Sequence, residues 1–572
     1  MCGILIIKSD KISNKVKKNF INSLKYMKNR GPDESKFINK KNILIGFNRL
    51  SINEIKSGSQ PYISECGRYT VVFNGEILNY LDLIKDLKLQ GIKVKYNNEV
   101  EVILKYYLIY KDKCINFFKG FFAFVIYDNL KNSIFSAVDR LGIKPLYFFL
   151  SKNKKFFIIS SDYSHLVRFK IINLKIDEDS LMNFMCLGRT FQNKTIYKNI
   201  YELGPGSKLF LSKQGNIKII KYWSPFKANK NIYLNENNQR KNFLKKFIET
   251  NKLWKISETK ISTTISSGVD SKIIDYTFKK NKINLKRFNI IEDKNEFKTK
   301  NRIISEKINY NLVLKEINKF TSINKNPFVL ANPGSIALFQ LYKKIKSYKY
   351  KVSFTGEGGD ELFGGYDRYK DQYNLLLKKV KFDKHLIELY KREINLFTNY
   401  QKKRNKKIIH QNLKRNINTV NLKSSDSKSK ILEFDQLTWL PMLLRKHDTI
   451  GMNYSIEVRP QFLDHQIVEM INNQISSKLK FSNKESKILL KKILLFNTGV
   501  NFFNKKKLGT PTIQNLIFSE RKKLGHFKKS ILNSKFLKKI FSKKLFKDES
   551  LFKLENSIFL WRLYILSLIF AK

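Results

Sequence analysis

Residues 260–278 read KISTTISSGVDSKIIDYTF, and this stretch decides the fold of the second half of the chain. Ile261–Ile265 is a short, mostly β-branched run that predicts a buried strand. Ser266–Ser271 is a loop of small and hydroxyl-bearing residues, and helical spacing begins at Lys272. A strand, a loop and a helix N-terminus in this order form an anion cradle, because backbone N–H groups and the helix dipole point at the loop. The Gly-Lys-Ser/Thr ending of a Walker A loop is missing, so another kind of phosphate loop is expected.

A second loop lies in YKVSFTGEGGDELFGGYDRY, residues 350–369, directly after another short apolar run. It places the carboxylates Glu357, Asp360 and Glu361 among five glycines. Glycines let a backbone approach a ligand closely, and clustered carboxylates are costly unless a metal or a charged substrate offsets them. Asp270 of the first loop would repel a bare phosphate but suits one that is bound with Mg²⁺. Together the two loops predict a site for a magnesium-bound phosphate compound.

The N-terminal stretch MCGILIIKSD places Cys2 directly behind the initiator methionine. Removal of Met1 would leave a thiol nucleophile beside a free α-amine, which can serve as its base. The two groups titrate near pH ~8 and ~8.5, so proton exchange between them is almost thermoneutral. The position alone is weak evidence for catalysis, because some residue must come second.

Length, charge and cysteine content limit the number of domains, the class of partner and the compartment that are expected. The 572 residues exceed the size at which one core keeps growing, so at least two domains are expected. The formal net charge is +62, but the lysines are spread along the whole chain, which favours a general substitution bias over a specific nucleic-acid site. The four cysteines lack CxxC spacing and the six histidines lack metal-binding spacing, so a reducing, cytoplasmic location is expected.

The local pattern of apolar and polar residues divides the chain into three predicted parts. Residues 2–210 are rich in short β-type runs, residues 211–240 are a predicted polar linker, and residues 241–572 alternate strands with helices. The apolar stretch IFLWRLYILSLIFA, residues 558–571, is shorter than the ~20 residues needed to span a membrane and carries Arg562. It predicts a buried helix, and no membrane association is expected.

Several blocks in a fixed order carry a family resemblance. The first set resembles the class II glutamine amidotransferase domain: Cys2-Gly3, Arg30–Asp33, Arg49–Ile52, Gln60-Pro61, Phe73–Glu76 and Asp139–Tyr147. The second set resembles the ATP-pyrophosphatase domain of glutamine-hydrolysing asparagine synthetases: Ser266–Ser271, Gly356–Tyr366, Lys446–Asp448 and Glu457–Asp464. The resemblance implies α/β and α+β architecture. An αββα N-terminal-nucleophile hydrolase domain would precede an α/β domain with a mostly parallel sheet and added helices.

For the first domain the resemblance implies that Cys2 attacks the side-chain amide of glutamine and forms a thioester, with Asn74 and Gly75 stabilising the oxyanion. The implied glutamine-binding residues are Arg49, Leu50, Asn74, Gly75, Glu76 and Glu99. Arg49 would clamp the α-carboxylate, a planar bidentate contact that lysine cannot copy. Glu99 stands where the family has an aspartate, so the charge is kept but the side chain is one methylene longer.

For the second domain the resemblance implies activation of a carboxylate by ATP. The implied ATP-binding residues are Ile265, Ser266, Ser267, Gly268, Val269, Asp270, Ser271, Ile290, Thr355, Gly356, Asp360 and Lys487. Asp270 and Asp360 would bind Mg²⁺ on the pyrophosphate, and Glu357 is the candidate for steering the adenylate or taking a proton from ammonia. Other departures from the family pattern are Asn29, Ser267 and Asn326, and EVRPQFLD carries its proline displaced by one position.

The function expected from these residues is ATP-dependent amidation of aspartate to asparagine, with glutamine, aspartate and ATP as small-molecule partners. A related enzyme that amidates another carboxylate, such as a uronic-acid sugar, remains an alternative, because the acceptor pocket is not legible in the sequence. A basic nucleic-acid-binding or scaffold protein that has kept the fold is a rival of another class, but the joint presence of the catalytic residues disfavours it. A homodimer is a further expectation.

Overall fold

Two antiparallel sheets and one parallel sheet organise the chain. The computed structural model describes residues 2–169, 172–226, 234–291, 303–378, 380–403, 405–503, 517–518 and 520–571. The strands are β1 (Gly3–Ser9), β2 (Glu34–Lys40), β3 (Ile43–Arg49), β4 (Tyr62–Ile63), β5 (Tyr69–Ile77), β6 (Gly120–Asp128), β7 (Ser133–Val138), β8 (Tyr147–Leu150), β9 (Phe156–Ser160), β10 (Ile200–Glu202), β11 (Ser207–Leu211), β12 (Ile217–Lys221), β13 (Ile261–Thr264), β14 (Lys286–Ile291), β15 (Ile303–Lys307), β16 (Val352–Thr355) and β17 (Glu457–Pro460).

Helices occur throughout the chain and make up most of its second half. They are α1 (Asn14–Tyr26), α2 (Tyr80–Leu89), α3 (Glu99–Tyr110), α4 (Tyr163–Val167), α5 (Glu178–Leu187), α6 (Glu236–Trp254), α7 (Val269–Lys280), α8 (Tyr310–Ile323), α9 (Ala337–Ser347), α10 (Gly359–Phe363), α11 (Asp367–Leu377), α12 (Phe382–Leu389), α13 (Lys391–Tyr400), α14 (Lys406–Asn418), α15 (Ser427–Thr438), α16 (Leu440–Asn453), α17 (His465–Gln474), α18 (Ser477–Lys480), α19 (Ile488–Thr498), α20 (Arg521–Leu532), α21 (Lys535–Ile540), α22 (Lys543–Lys547) and α23 (Ser557–Ile569).

The first domain is a sandwich of two six-stranded antiparallel sheets, with strand orders β10-β8-β9-β1-β3-β2 and β12-β11-β7-β6-β5-β4. Alternation along β1 decides its packing, because successive side chains point to opposite faces. Ile4 and Ile6 join the core between the sheets, whereas Leu5 and Ile7 join the outer core with residues of α1. Helices α2 and α3 contribute to the core on the outer face of the second sheet. The predicted αββα layering is confirmed.

The second domain is built on a five-stranded sheet in the order β15-β14-β13-β16-β17, and every neighbouring pair is parallel. This confirms the predicted mostly parallel α/β fold. Because β13 and β16 are adjacent, the loops that follow them lie side by side at the carboxyl edge of the sheet. Ligands of open parallel sheets bind at this edge. The fold therefore brings the two loops singled out in the sequence together.

The end of the first domain lies later than the sequence predicted. Strand β12 pairs antiparallel with β11, from Ser207 opposite Lys221 to Leu211 opposite Ile217. The boundary predicted at residue 210 thus falls inside a hairpin of the second sheet. Helix α6 begins at Glu236, so the predicted linker 211–240 also contains the start of a helix, while its residues 227–233 lie outside the described part of the chain. The short alternating run IKIIK carries the strand signal that the polar surroundings masked.

Helix α23 is buried and touches both domains. Arg562 donates a hydrogen bond from Nη1 to the carbonyl oxygen of Met185 at 2.9 Å, and Trp561 donates from Nε1 to that of Leu330 at 2.7 Å. The prediction of a buried helix in residues 558–571 is confirmed. Among the described residues no helix combines the length and apolarity that crossing a membrane requires.

A buried ion network joins the two domains, and we expect Asp435→Asn to destabilise the protein. Asp435 accepts hydrogen bonds from Arg189 at 2.8 Å and from Arg368 at 2.6 Å, and the Arg189 and Asp435 side chains are each 1% exposed. Among the described residues Asp435 is the carboxylate that pairs with both guanidinium groups, so its removal leaves the buried Arg189 and the largely buried Arg368 without this charge, which costs about 3–5 kcal/mol of unfolding free energy. Urea-induced unfolding measures this loss. The exposed Asp371→Asn, on the same helix as Arg368, is the control, and an equal effect of both variants would contradict the prediction.

Candidate active sites

Strands β1 and β5 bring Cys2 against Asn74. The Cys2 backbone N–H donates to Asn74 Oδ1 at 2.8 Å, which orients the amide group. Asn74 is fully buried, and its Nδ2 has no hydrogen-bond partner among the residues described. A buried donor without a partner is rare and suits an oxyanion that forms only during a reaction. The sequence assigned this role to Asn74 by resemblance, and the open amide donor gives it a physical basis.

Gly75 adopts a backbone conformation that excludes other residues. Its φ is +132°, and a Cβ at this position would lie 2.0 Å from the Phe121 carbonyl oxygen. The backbone of β5 can therefore continue past Asn74 in this geometry only with glycine. This close approach fixes the N–H of Gly75 next to the side chain of Asn74.

The buried side chain of Cys2 lines a small pocket. Burial raises the pKa of the Cys2 thiol, while a backbone hydrogen bond from Leu50 and the charge of Arg49 oppose that rise. At neutral pH the thiol therefore keeps its proton and needs a base before it can attack a carbon. The pocket is lined by Cys2, Arg49, Leu50, Ile52, Asn53, Glu54, Gly58, Gln60, Phe73, Gly75, Glu76, Glu99 and Val100.

The guanidinium of Arg49 is held by a turn of residues 53–55. It donates to the carbonyl oxygens of Glu54 at 2.7 Å, Ile55 at 3.1 Å and Asn53 at 3.3 Å. Gly58 leaves the room for this arrangement, because a Cβ there would lie 2.4 Å from Arg49 Nη2. The turn thus sets the position of the cation in the pocket, where it is available to a carboxylate.

Three acidic side chains face the pocket opposite Arg49. Glu99 Oε1 accepts the backbone N–H of Ile77 at 2.5 Å, and Glu76 accepts the side-chain amide of Asn53. Glu54 accepts the backbone N–H of Glu99 at 2.8 Å. Such a group of buried carboxylates suits a ligand ammonium. The sequence reasoning missed Glu54 and Asn53; an acid five residues after Arg49 in so basic a chain was the available signal.

The pKa values of these acids predict that glutamine binds better as pH rises. Burial and Glu457 raise the pKa of Glu76 to about 7, and burial together with Glu76 raises that of Glu54 to about 8. Burial also raises the pKa of Glu99 well above its usual value, with Glu76 and Glu54 adding to the effect. An ammonium group needs the ionised forms, so KM for glutamine should fall by about tenfold between pH 6 and 8.

Glutamate release without ATP, measured across this pH range, tests the expectation. Glu54→Gln removes one titrating acid and should flatten the upper part of the profile, and Glu65→Gln, an exposed acid outside the pocket, is its control. A KM that rises with pH would contradict the prediction.

In the second domain, two serines close the loop that follows β13. Ser271 Oγ accepts the N–H of Ser266 at 3.0 Å, and Ser266 Oγ accepts the N–H of Gly268 at 3.1 Å. Ile265 and Val269 anchor the two ends of the loop in the protein core, whereas Ser267 is exposed. Helix α7 begins at Val269, so its N-terminus faces the loop. The predicted order of strand, loop and helix N-terminus is present, and Ile290 and Thr355 lie near the carboxyl ends of β14 and β16.

Lys487 forms ion pairs with both Asp270 and Asp360. It is 4% exposed, lies 2.5 Å from Asp360 Oδ1, and also pairs with Asp270. Burial lowers the pKa of Lys487, but the two carboxylates more than reverse this and raise it. Lys487 has a left-handed backbone, with a φ of +55°, at the N-cap of α19. Among so many lysines it was chosen by resemblance alone, and the structure places it between Asp270 and Asp360.

The donor set at these aspartates fits magnesium held together with phosphate. A Cβ at Gly359 would lie 2.6 Å from Asp270 Oδ1, and one at Gly365 would lie 1.9 Å from Asp360 Oδ1, so only glycine at these positions lets the backbone lie directly against the two carboxylates. Hard oxygen donors are what Mg²⁺ prefers, and it usually takes one or two carboxylates plus substrate phosphates. In the described part of the chain no group of three or more His, Cys, Asp or Glu forms a metal site by itself.

Glu357 lies in the loop that follows β16, within a short chain of contacts. Its Oε1 is 2.5 Å from Nε2 of His447 and 3.8 Å from Nζ of Lys446, and His447 Nδ1 shares a hydrogen bond of 2.6 Å with the Tyr342 hydroxyl. Burial would raise the pKa of Glu357, but His447 and Lys446 lower it to about 2. Glu357 therefore stays ionised at neutral pH, which suits orientation of a cationic or hydrogen-bonding group better than strong basicity.

A buried ion pair connects the surroundings of the two sites. Arg30 Nη1 lies 2.9 Å from Asp448 Oδ2, while Arg30 Nε donates to the Cys2 carbonyl oxygen at 3.4 Å. Asp448 adjoins His447 and, with Glu357 and Lys144, lines a small cavity at the domain junction. The predicted residues thus gather in two clusters, one around Cys2 and one around Lys487. Of the departures, Asn29 lies at this junction, where its carbonyl accepts the Ser455 hydroxyl at 2.7 Å, and Asn326 caps a short 3₁₀ turn by accepting the Phe328 N–H at 3.1 Å.

Comparisons with known proteins agree with this division. The family described as "Glutamine amidotransferase domain" matches residues 1–223, and the family described as "Asparagine synthase" matches residues 250–551. Glutamine-hydrolysing asparagine synthetase 1 of Bacillus subtilis (strain 168) is 27% identical over 94% of this chain and 90% of its own length. Asparagine synthetase 3 of the same organism is 25% identical over 81% and 79%. A solved glutamine phosphoribosylpyrophosphate amidotransferase from B. subtilis, complexed with ADP and GMP, covers 50% of this chain and 66% of its own at 16% identity, with a TM-score of 0.30.

Proposed function

Since the chain belongs to the asparagine synthase family and is a glutamine-dependent carbon–nitrogen ligase, we propose that it amidates aspartate to asparagine at the expense of ATP. The observation that carries the proposal is the clamp of Lys487 between Asp270 and Asp360 beside the loop of residues 266–271. A cation between two carboxylates at a helix N-terminus suits a pyrophosphate that departs with its metal. Such a site is needed for a ligase that makes an adenylate.

In the first domain, we assign glutamine hydrolysis to Cys2. Once Met1 is removed, the α-amine of Cys2 can take the thiol proton, and the sulfur then attacks the glutamine side-chain carbon. Asn74 Nδ2 and the Gly75 N–H would donate to the oxyanion, and ammonia leaves as the thioester forms. Arg49 would bind the α-carboxylate and Glu99 the α-ammonium. Water then hydrolyses the thioester to give glutamate and the free thiol.

In the second domain, the acceptor carboxylate attacks the α-phosphorus of ATP. The P–O bond to the β-phosphate breaks, and an acyl-adenylate and pyrophosphate form. The loop of residues 266–271 and Lys487 would hold the departing pyrophosphate, because their N–H groups and positive charge match it. Asp270 and Asp360 would hold Mg²⁺ there, where it would neutralise phosphate charge.

Ammonia completes the reaction at the acyl carbon. Its nitrogen forms the C–N bond, the C–O bond to AMP breaks, and the nitrogen loses one proton. Glu357 is placed to orient the ammonia by accepting a hydrogen bond from it, and the released proton passes to solvent. The His447 and Lys446 contacts keep Glu357 ionised and ready for this hydrogen bond.

Product analysis tests the function. Purified protein is supplied with Mg²⁺, ATP and aspartate, and with either glutamine or ammonium, and asparagine, AMP and glutamate are quantified. Asparagine and AMP in equal amounts with both nitrogen donors support the proposal. Glutamate release without asparagine or AMP would contradict aspartate as the acceptor, and a panel of other carboxylates, including uronic acids, would then identify it. The same preparation in size-exclusion chromatography with light scattering tests the expected homodimer.

A further inference from the structure

The loop of residues 50–58, which lines the pocket of Cys2, is held from the second domain at one side by Glu258. Glu258 Oε1 accepts the backbone N–H of Glu54 at 2.6 Å, and the Glu258 N–H donates to the Ile52 carbonyl oxygen at 3.1 Å. The carbonyl of Glu54 is at the same time the nearest acceptor of the Arg49 guanidinium. Glu258 therefore holds, from outside the pocket, the backbone of Glu54, the residue whose carbonyl oxygen accepts from the Arg49 guanidinium.

The same loop is held at its beginning by Lys351. Lys351 Nζ donates to Asp33 Oδ2 at 2.7 Å and to the Ser51 carbonyl oxygen at 3.1 Å. Asp33 in turn accepts the Ser51 N–H at 2.8 Å. Both peptide groups of Ser51, directly after Leu50, are thus tied to one cation of the second domain. An ammonium with two oxygen acceptors holds the entry of the loop in place.

Glu258 and Lys351 occupy equivalent places in the second domain. Lys351 immediately precedes β16, and Glu258 precedes β13 by three residues. The two strands are paired neighbours, with Ile261 opposite Val352. Their amino ends carry the contacts to the loop of residues 50–58, and their carboxyl ends carry the loops around Asp270 and Glu357. Short, buried central strands are among the most rigid parts of a fold.

We propose that Glu258 and Lys351 are positioning residues for glutamine, through which the second domain holds the loop of residues 50–58 in its binding conformation. The proposal rests on the proposed glutamine chemistry of the first domain. Neither residue touches the pocket itself. Each acts through backbone groups of the loop, and Arg49 and the carboxylate of Glu54 receive their positions from it.

Kinetics with the two nitrogen donors test this role in the full-length protein. We expect Glu258→Ala and Lys351→Met each to raise KM for glutamine about fivefold, because each removes charged hydrogen bonds that are partly exposed to solvent. The ammonium-supported rate and its KM should stay at the wild-type level. Lys351→Arg should restore a low KM for glutamine, since a guanidinium can donate to both Asp33 and Ser51. The matched controls are Glu249→Ala and Lys260→Met, which change exposed residues of the same segment.

The outcomes separate this proposal from the function itself. If wild-type protein makes no product with ammonium, the proposed synthesis fails, but glutamate release by the same variants still reports KM for glutamine. Equal loss of ammonium- and glutamine-supported rates in Glu258→Ala and Lys351→Met would show a general structural effect and overturn the positioning role. An unchanged KM for glutamine in both variants would overturn it as well.

Discussion

Cys2→Ala should abolish product formation from glutamine and leave product formation from ammonium at the wild-type rate. The substitution removes the sulfur proposed to attack the glutamine amide, and among the described residues that line this pocket Cys2 carries the one thiol. Loss of a nucleophile in a comparable hydrolase site lowers the rate on the order of a thousandfold or more. Ammonium bypasses this step, because free ammonia reaches the acyl carbon without the thioester. The variant therefore separates the two halves of the reaction.

Glutamate release and product formation, measured with each nitrogen donor, check the result. Cys66→Ala changes the exposed cysteine of the same domain and is the control for loss of a thiol. Substantial glutamate release by Cys2→Ala would show that another group is the nucleophile. An equal loss with ammonium would mean that Cys2 supports the second site structurally.

Lys487→Met is expected to show the reverse of the Cys2→Ala result: glutamine hydrolysis is kept and ATP-dependent product formation is lost. This variant should lose ATP-dependent product formation with both nitrogen donors by on the order of a hundredfold or more, because a buried cation aimed at developing phosphate charge is removed. It also leaves Asp270 and Asp360 without the charge that now compensates them. Glutamate release from glutamine without ATP should continue, because Cys2 and its pocket belong to the other domain.

Retained glutamate release serves here as the internal check that the chain is folded. Lys484→Met, an exposed lysine three residues earlier, is the matched control. Product formation within a few-fold of wild type in Lys487→Met would contradict the assigned role of the lysine. Pyrophosphate release, measured directly, distinguishes a failure of adenylate formation from a failure of the later attack by ammonia.

Local sequence predicted the elements whose signals are contiguous. The run of residues 260–278 carries strand, loop and helix together, and the structure has all three in this order, with the helix beginning at Val269, three residues before the predicted start. In these segments each residue's environment is fixed by near neighbours and by the periodicity of the element. Asn74 and Lys487 were identified as candidate site residues by the family resemblance, because the periodicity of the sequence does not distinguish them from their neighbours.

Contacts between residues far apart in the chain could not be predicted from the sequence. The Arg30–Asp448 pair joins residues separated by 418 positions. Glu54 meets Glu99 only when the first domain folds, and it meets Glu258 only after the domains have docked. Charged residues are usually solvated, so their burial depends on partners that local pattern does not reveal. The hairpin of β11 and β12 was missed for a related reason, because β12 is an edge strand with mostly exposed side chains.

Helix α23 has a consequence for how the protein is made. Its Arg562 contacts Met185 across 377 residues of sequence, and α5 and α23 share one apolar core through Phe184 and Leu563. At roughly 5–20 residues per second, a ribosome needs roughly 20–75 seconds between these two segments. During that interval the face of α5 that α23 later covers stays open to water. The first domain therefore carries an apolar face that is prone to aggregation until its last partner helix emerges, and slower translation lengthens this interval.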